Sequence, residues 1–365
     1  MSHLAAIAPL AQDLIRLDSR SSISNHPVAD RLQAALPGFE IERLDYTDAA
    51  GTAKCALVAI RGAGGLALSG HMDTVPPTGW ATDPWSGHAE GDTLHGLGAT
   101  DMKGPVAAIV ATTHALPSTI PVALLLTADE ETTKAGARAI VERSILARRF
   151  APRGIVVAEP TGLAPVRGHR SHIEFTATAH GVQAHSSTGR GRNANWDLLP
   201  FLQAMRDLHD HLRSDPALQD GAYDPPFSDF NLVLDNHGTA INVPVPRATA
   251  RIKFRYSRSV DIGPVLAAVR AAAAGLELQE RFEAPPPELS ADHPFVRLAE
   301  RAAAAPADTA PYGTDASELQ ALAPCVVLGP GSIEEAHKPG EHVSLSALAA
   351  SVPVFMAMAE QAPTG

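Results

Sequence analysis

Five side chains in this sequence of 365 residues stand where hydrolytic chemistry could be done: His71, Asp101, Glu131, Glu159 and His337. Taken singly they say little, because a chain with 16 histidines places most of them on the surface or in satisfied core positions. Their placement against the apolar runs says more. His71 follows LALSG at once, Glu130 and Glu131 follow PVALLLTA, Glu159 ends GIVVAE, and His337 lies in the loop after CVVLGPG. In open α/β sheets ligands bind beyond the carboxyl ends of the strands, so four strands would deliver imidazole or carboxylate to one rim. Asp101, in the glycine-flanked turn GLGATDMKG ahead of a helix, can reach the same place.

Two imidazoles and three carboxylates, with no thiolate, suit zinc or a similar divalent ion. Five protein ligands are too many for one catalytic zinc with an open position, but they suit two ions if one carboxylate bridges. Asp101 is the natural bridge, since it precedes a helix and lies between the others. Asp73, two residues after His71 in HMD, is placed to accept the other imidazole N–H and fix the tautomer; the plainer alternative is a turn-capping carboxylate. The acidic run DEE reads plainly as an acidic helix start, and that reading fits Asp129 best. Glu130 and Glu131 divide the labour, because one group cannot be both ligand and base. Glu131 binds metal, and Glu130 takes the proton of the attacking water from within about 2.6–3.2 Å, directly or through one water.

The elements that must position these residues follow from the apolar patterning. Residues 4–17 carry helical spacing, and β-like runs follow at 39–46, 55–62 and 66–70. A helix is expected over 103–116, a strand at 121–128, a helix near 134–149 and a strand at 154–159. Such alternation implies an α/β fold with a mostly parallel sheet and helices on both faces. After about residue 168 the style changes: a half-exposed strand at 171–181, a helix at 196–212, strands at 230–238 and 248–257, a helix at 265–274 and a strand at 276–283. That is a compact β-α-β-β-α-β unit, ferredoxin-like, after which the α/β style resumes with a strand at 324–330 and a C-terminal helix near 343–360. The expected division is a catalytic domain of residues 1–168 and 284–365 with an inserted domain of 169–283.

Composition bounds the rest. The chain exceeds the usual reach of one hydrophobic core, and its 45% apolar content is that of an ordinary globular protein. A net charge of -11 argues against nucleic acid, which needs a basic face. The two cysteines, Cys55 and Cys325, sit in separate apolar runs and read as buried thiols rather than a disulfide framework. The N-terminus shows no basic stretch ahead of an apolar one, and the apolar stretch 345–359 is too short to span a membrane. A cytoplasmic protein that engages neither membrane nor nucleic acid is expected.

The blocks SGHMDTVP, GLGATDMKG, LTADEE, AEPTG and GPGSIEEAHKPGEH resemble the signature of the acetylornithine deacetylase and succinyl-diaminopimelate desuccinylase family of di-zinc hydrolases, in order and over nearly the whole chain. The resemblance implies two zinc ions, replaceable by cobalt, one on His71, Asp101 and Glu159, the second on Asp101, Glu131 and His337. It implies Glu130 as base, Asp73 as the partner of His71, and a cis peptide between Asp101 and Met102. It makes the inserted domain a lid that also pairs two subunits into a homodimer. His185 in GVQAHSS would then donate to the developing oxyanion in the partner subunit's site. Asn242 and Arg255 look like substrate contacts, with Thr314 and the loop glycines Gly329 and Gly331 as weaker candidates. The implied reaction is hydrolysis of an N-acyl amino acid to a carboxylate and a free amino acid. A desuccinylase or a dipeptidase or carboxypeptidase stands as the alternative, and a metal-free binding homologue as the rival from another class. Leu97 and His95 depart from the arginine and aromatic that many members carry there, and they leave the substrate subtype open.

Overall fold

In a computed structural model that describes residues 3–362, the chain divides into two compact units. The larger comprises the chain up to Gly168, Pro287–Asp308 and everything from Thr314 on. The smaller comprises His169–Pro286 and Thr309–Gly313. The chain thus leaves the small unit three residues later than the patterning places it, and a five-residue segment near 310 also belongs there.

The large unit is built on an eight-stranded sheet in the order Glu40–Thr47, Ala53–Arg61, Val122–Thr127, Leu66–His71, Gly154–Val157, Cys325–Val327, Val166–His169, Asp308–Ala310. The four middle strands run parallel, and their neighbours Ala53–Arg61 and Val166–His169 pair antiparallel on either side. VALLLT, LALSGH, GIVV and CVV are buried at every position, as strands covered on both faces must be. Leu57, Leu66, Leu68, Leu124 and Val156 point into one core with the helices His3–Ile15, Lys103–Ala115 and Leu345–Gln361. Ala135–Arg143 and Ile145–Phe150 contact the same strands but stand outside that core, on the opposite face. Lys103–Ala115 is buried around almost its whole circumference, which fits the apolar run GPVAAIVA that makes up most of it.

The register levels the rim. His71 pairs with Thr127, Ser69 with Val157, and Val157 with Val327. The four parallel strands therefore end side by side, and the segments leaving them start from one line.

The helix expected near 134–149 is two helices. They break at Ser144, whose hydroxyl caps Ala147 and donates to Glu42 at 2.5 Å, while Glu42 also accepts from the amides of Ile145 and Leu146. Helices His26–Ala34 and Pro294–Ala303 were not expected, nor was a three-stranded sheet of His88–Glu90, Thr93–His95 and His342–Ser344, in which His95 lies directly between His88 and His342.

The small unit has the β-α-β-β-α-β order. Its antiparallel strands are arranged Asp229–Asp235, Arg247–Tyr256, Ser171–His180, Glu277–Phe282, with helices Ala194–Ser214 and Gly263–Ala272. Ile173, Phe175 and Ala177 alternate inward against Leu198, Phe201, Met205 and Val269, the pattern of a sheet with one covered face.

Close backbone approach holds the rim together at Gly329, just past Cys325–Val327. A Cβ there would stand 2.3 Å from the Ala158 carbonyl oxygen and 2.5 Å from that of Glu159. Gly329→Ala should therefore force the two strand ends apart and cost about 1–3 kcal/mol; a melting temperature equal to wild type would contradict this packing.

Candidate metal centre

The five singled-out side chains meet at the rim of the parallel strands. His71 ends its strand, and its Nε2 lies 2.8 Å from Oδ1 of Asp101 and 3.9 Å from Oε1 of Glu159. On the other side, Nε2 of His337 lies 3.2 Å from Oδ2 of Asp101 and 3.1 Å from Oε1 of Glu131. Asp101 thus offers one carboxylate oxygen to each imidazole, and each imidazole has one glutamate beside it. His71, Asp101 and Glu131 each place a donor atom within 4.8 Å of the others. All five donors are nitrogen or oxygen, and the set could hold divalent cations.

Backbone geometry presents these groups. Asp101 lies in the turn before Lys103–Ala115, its peptide bond to Met102 is cis, and the helix N-terminus behind it favours an anion. The amides of Thr100 and Asp101 both donate to Oε1 of Glu341, each at 2.9 Å. The DEE segment is a turn, not a helix start: Asp129 is left-handed at φ 61, and the next helix begins only at Ala135. Asp129 is tied in place by the fully buried Lys54, whose Nζ is 3.0 Å from Oδ1, and by Tyr46, whose hydroxyl donates to Oδ2 at 2.9 Å.

Asp73 meets the His71 ring through its main chain and the DEE segment through its carboxylate. The Nδ1–H of His71 donates to the Asp73 backbone carbonyl at 2.9 Å, whereas the nearest Asp73 carboxylate oxygen is 3.7 Å away. Since a carbonyl only accepts, the main chain fixes the tautomer and leaves Nε2 free to face the cluster. The Asp73 carboxylate instead accepts from Ser21 Oγ at 2.8 Å and from the amides of Glu130 and Glu131 at 3.3 and 3.4 Å. It therefore positions the segment that carries the proposed base.

Proton affinities reflect crowding of like charges out of water. Burial pushes Glu159 up to about 8, with the charge of Asp101 adding to it. Glu131 is raised by burial too, against its hydrogen bond to His337. Glu130 lies well above the ordinary glutamate range, raised by burial and by Glu159 and Asp315, against Lys134 and His71. Hydrogen bonds to Asp101 and Glu131 lift His337 to about 11. Burial opposes protonation of His71, but Asp101, Glu159 and Asp73 outweigh it and hold the ring well above its usual value. Without bound cations, protonated imidazoles supply the positive charge that the carboxylates need.

The remaining candidates are placed as follows. The Thr314 hydroxyl accepts from the Ala316 amide at 3.1 Å and its carbonyl from Lys134 Nζ at 2.7 Å. Gly331 has φ +90, and a Cβ there would lie 2.6 Å from Thr100 Oγ1, so a side chain would crowd the Asp101 turn. His185, Asn242 and Arg255 belong to the small unit. His185 is exposed, and its Nδ1 accepts from the Ser187 amide at 3.3 Å, which leaves Nε2–H as a donor. Asn242 is exposed, with its carbonyl accepting from the Ser186 amide. Arg255 already has a carboxylate: Nη1 is 2.6 Å from Asp229 Oδ2, directly across the strand pair.

Several contributors escaped the motif reading. Glu341, Lys54 and Asp315, the last bonded to Thr127 Oγ1 at 2.5 Å, all lie on or behind the rim. Lys103 is fully buried, donates to the Leu17 carbonyl, and is lowered by burial to about 7. Of these only the lysine in the apolar strand AKCALVAIR stands out in the sequence.

Residues 67–361 match the family described as Peptidase family M20/M25/M40. The chain belongs to that family. It is 32% identical over 354 residues to the acetylornithine deacetylase of Proteus mirabilis, covering 90% of this chain and 88% of that one. Its fold matches a metallo-carboxypeptidase of Sulfolobus solfataricus with a TM-score of 0.74 at 16% identity, covering 96% and 97% of the two chains. It also matches a Bacillus subtilis protein described as a dinuclear metal-binding peptidase with a TM-score of 0.65 at 17% identity, covering 98% and 97%. As a family member the chain is a metallohydrolase.

Because His71, His337 and Glu159 all have raised proton affinity, cations must displace protons to occupy this cluster. Affinity of the metal-free protein for Zn2+ should rise with pH through the value of about 8 held by Glu159 and on towards the value of about 11 held by His337. Calorimetric titrations at neutral pH in buffers of different protonation enthalpy should show net proton release, and zero release would refute this charge state.

Proposed function

We propose that this metallohydrolase holds two divalent ions and cleaves the amide bond of N-acyl amino acids, releasing a carboxylate and a free amino acid. The observation that carries the reading is the Asp101 carboxylate, with one oxygen beside His71 and the other beside His337, each imidazole having a glutamate of its own, Glu159 and Glu131 respectively. One cation would sit on His71, Asp101 and Glu159, the other on Asp101, Glu131 and His337. Oxygen and nitrogen donors with no sulfur suit Zn2+, with Co2+ as a substitute. Two such ions supply Lewis acidity, which polarises the acyl carbonyl and acidifies water.

The chain's own groups do the rest. Glu130 accepts a proton from the attacking water and returns it to the leaving nitrogen; burial raises its proton affinity above that of an ordinary glutamate. The Asp73 carboxylate holds the Glu130 and Glu131 amides and so aims base and ligand together. His185 offers Nε2–H to the acyl oxygen as charge develops there, an interaction worth a few kcal/mol in such sites. In a homodimer formed through the small unit it would serve the partner's site. Asn242 and Arg255 are the candidates for gripping the amino-acid part, Arg255 after exchanging Asp229 for the substrate carboxylate. Thr314 and Gly331 are the candidates on the large unit for shaping the wall of its own rim.

The deacylase reading is preferred to a peptidase one because the relative with 32% identity is named acetylornithine deacetylase, whereas the peptidases match at 16–17% and carry only the fold. It would place the enzyme in cytoplasmic arginine biosynthesis.

Glu130→Gln should retain both metal equivalents yet lose turnover by about a hundred- to ten-thousand-fold; retained activity would remove Glu130 as the base. In a panel of N-acetylornithine, N-acetylcitrulline, N-succinyl-diaminopimelate and simple dipeptides, the acetylated amino acids should have the highest kcat/KM. Hydrolysis of dipeptides alone would overturn the deacylase reading.

His185→Ala should lower kcat far more than metal content. Mixing it with Glu130→Gln should restore part of the activity if His185 acts across subunits, and no recovery after verified subunit exchange would rule that out.

A further inference from the structure

On the large unit, at the sheet margin formed by Glu40–Thr47 and Ala53–Arg61, three donors of different chemistry converge. His26, Asp45 and Cys55 each place one ligand atom within 4.8 Å of the other two. Asp45 and Cys55 are register partners on neighbouring antiparallel strands, so their side chains share a face with Cβ atoms about 4.5–5.5 Å apart. His26 is the first residue of the helix that runs over that face, and its Nε2 lies 3.3 Å from Asp45 Oδ1. That nitrogen is out of contact with solvent and has no hydrogen-bond partner.

The arrangement is held rigidly. The Asn25 side chain clamps Cys55 from both directions, donating to its carbonyl at 2.7 Å and accepting from its amide at 2.9 Å. That fixes the helix start, and with it His26, against the strand carrying the thiol. The nearby guanidinium of Arg43 is engaged by Asp30 at 2.6 Å and Gln33 at 3.2 Å. Asp45 is well exposed and His26 partly so, which leaves an approach from solvent, while Cys55 forms the buried floor.

We infer that His26, Asp45 and Cys55 form a further metal site, separate from the hydrolytic cluster, for a single borderline-soft divalent cation such as Zn2+ or Co2+. An imidazole nitrogen, a carboxylate oxygen and a thiolate sulfur are the donors such ions take, with a fourth position left for water. Thiolate and carboxylate together balance the 2+ charge. On binding, the cation displaces the thiol proton to solvent and a metal–sulfur bond forms, with no change in oxidation state. Burial otherwise keeps that thiol protonated, raising it to about 12, so binding at this site tightens with rising pH.

The sulfur makes the test specific. The hydrolytic cluster contains no cysteine, and the chain has only Cys55 and Cys325. Protein whose hydrolytic cluster is already filled with Co2+ should bind one more equivalent, with a near-ultraviolet thiolate-to-cobalt charge-transfer band that saturates with it. Cys55→Ser should abolish the band and Cys325→Ser should keep it. His26→Gln, at a partly exposed position that does not fill the core, should weaken the extra equivalent by at least about tenfold while leaving hydrolytic activity unchanged. Absence of the band in wild-type protein, its survival in Cys55→Ser, or unchanged affinity in His26→Gln would each overturn the assignment.

Discussion

The constraint on which the large unit turns is electrostatic: Asp101, Glu131, Glu159, Glu130, Asp73 and Asp315 are brought to one sheet rim, largely out of water. Carboxylates packed together without compensating charge would take up protons rather than stay ionised, which is what the raised affinities of Glu130, Glu159 and Asp315 express. Asp101 is the exception. Burial pushes it up, but hydrogen bonds from two imidazoles hold it below the usual carboxylate range. Among the described residues it is the one carboxylate with an oxygen within 4 Å of each of the two histidines, and it links the two halves of the cluster.

Positive charge is also built in behind the rim. Lys54 meets Asp129, Lys134 reaches the Thr314 carbonyl and the Ser317 hydroxyl, and Lys103 lies beneath the Asp101 turn, all three buried. Buried lysines are costly unless paired or hydrogen-bonded. Here each ties a loop of the centre to the scaffold through a carboxylate or main-chain carbonyl. The carboxylates of Asp73 and Glu341 do the complementary work on amides: each takes two consecutive N–H groups, one pair on the segment of Glu130 and Glu131, the other on that of Asp101. The orientation of the clustered side chains therefore depends on main-chain hydrogen bonds as much as on the side chains themselves.

What could be read from residues alone follows from this division. The parallel strands were legible because strands buried on both faces carry unbroken apolar runs, and the residues after them were legible because such strands end on one rim. The Ser144 break was not, since it depends on Glu42 arriving from a distant strand to cap the second helix. The sheet joining His88, His95 and His342 has strands of three residues, too short for any periodicity to register. That the bond from His71 goes to the main-chain carbonyl of Asp73 is not legible, because sequence cannot distinguish a carboxylate from the carbonyl of the same aspartate. Glu341 was quoted within a motif and given no role, as a carboxylate that accepts main-chain amides leaves no spacing signature.

The small unit shows the converse. Its pattern of alternating strands and two helices was legible to within a few residues, because a sheet with one wet face must alternate. Its candidate residues carry less information than their types suggested. Arg255 resembles a substrate contact in the sequence, yet Asp229 stands opposite in the strand register and occupies its guanidinium. For Arg255 to bind substrate it must exchange one carboxylate for another, so its contribution is the difference between two similar pairs and is smaller than that of a free guanidinium. His185 faces no such exchange. Its Nδ1 is held by its own loop, and its Nε2–H is presented with the tautomer already set. On physical grounds a preset donor can spend its hydrogen bond on the transition state, whereas an engaged arginine spends part of its own on leaving its partner.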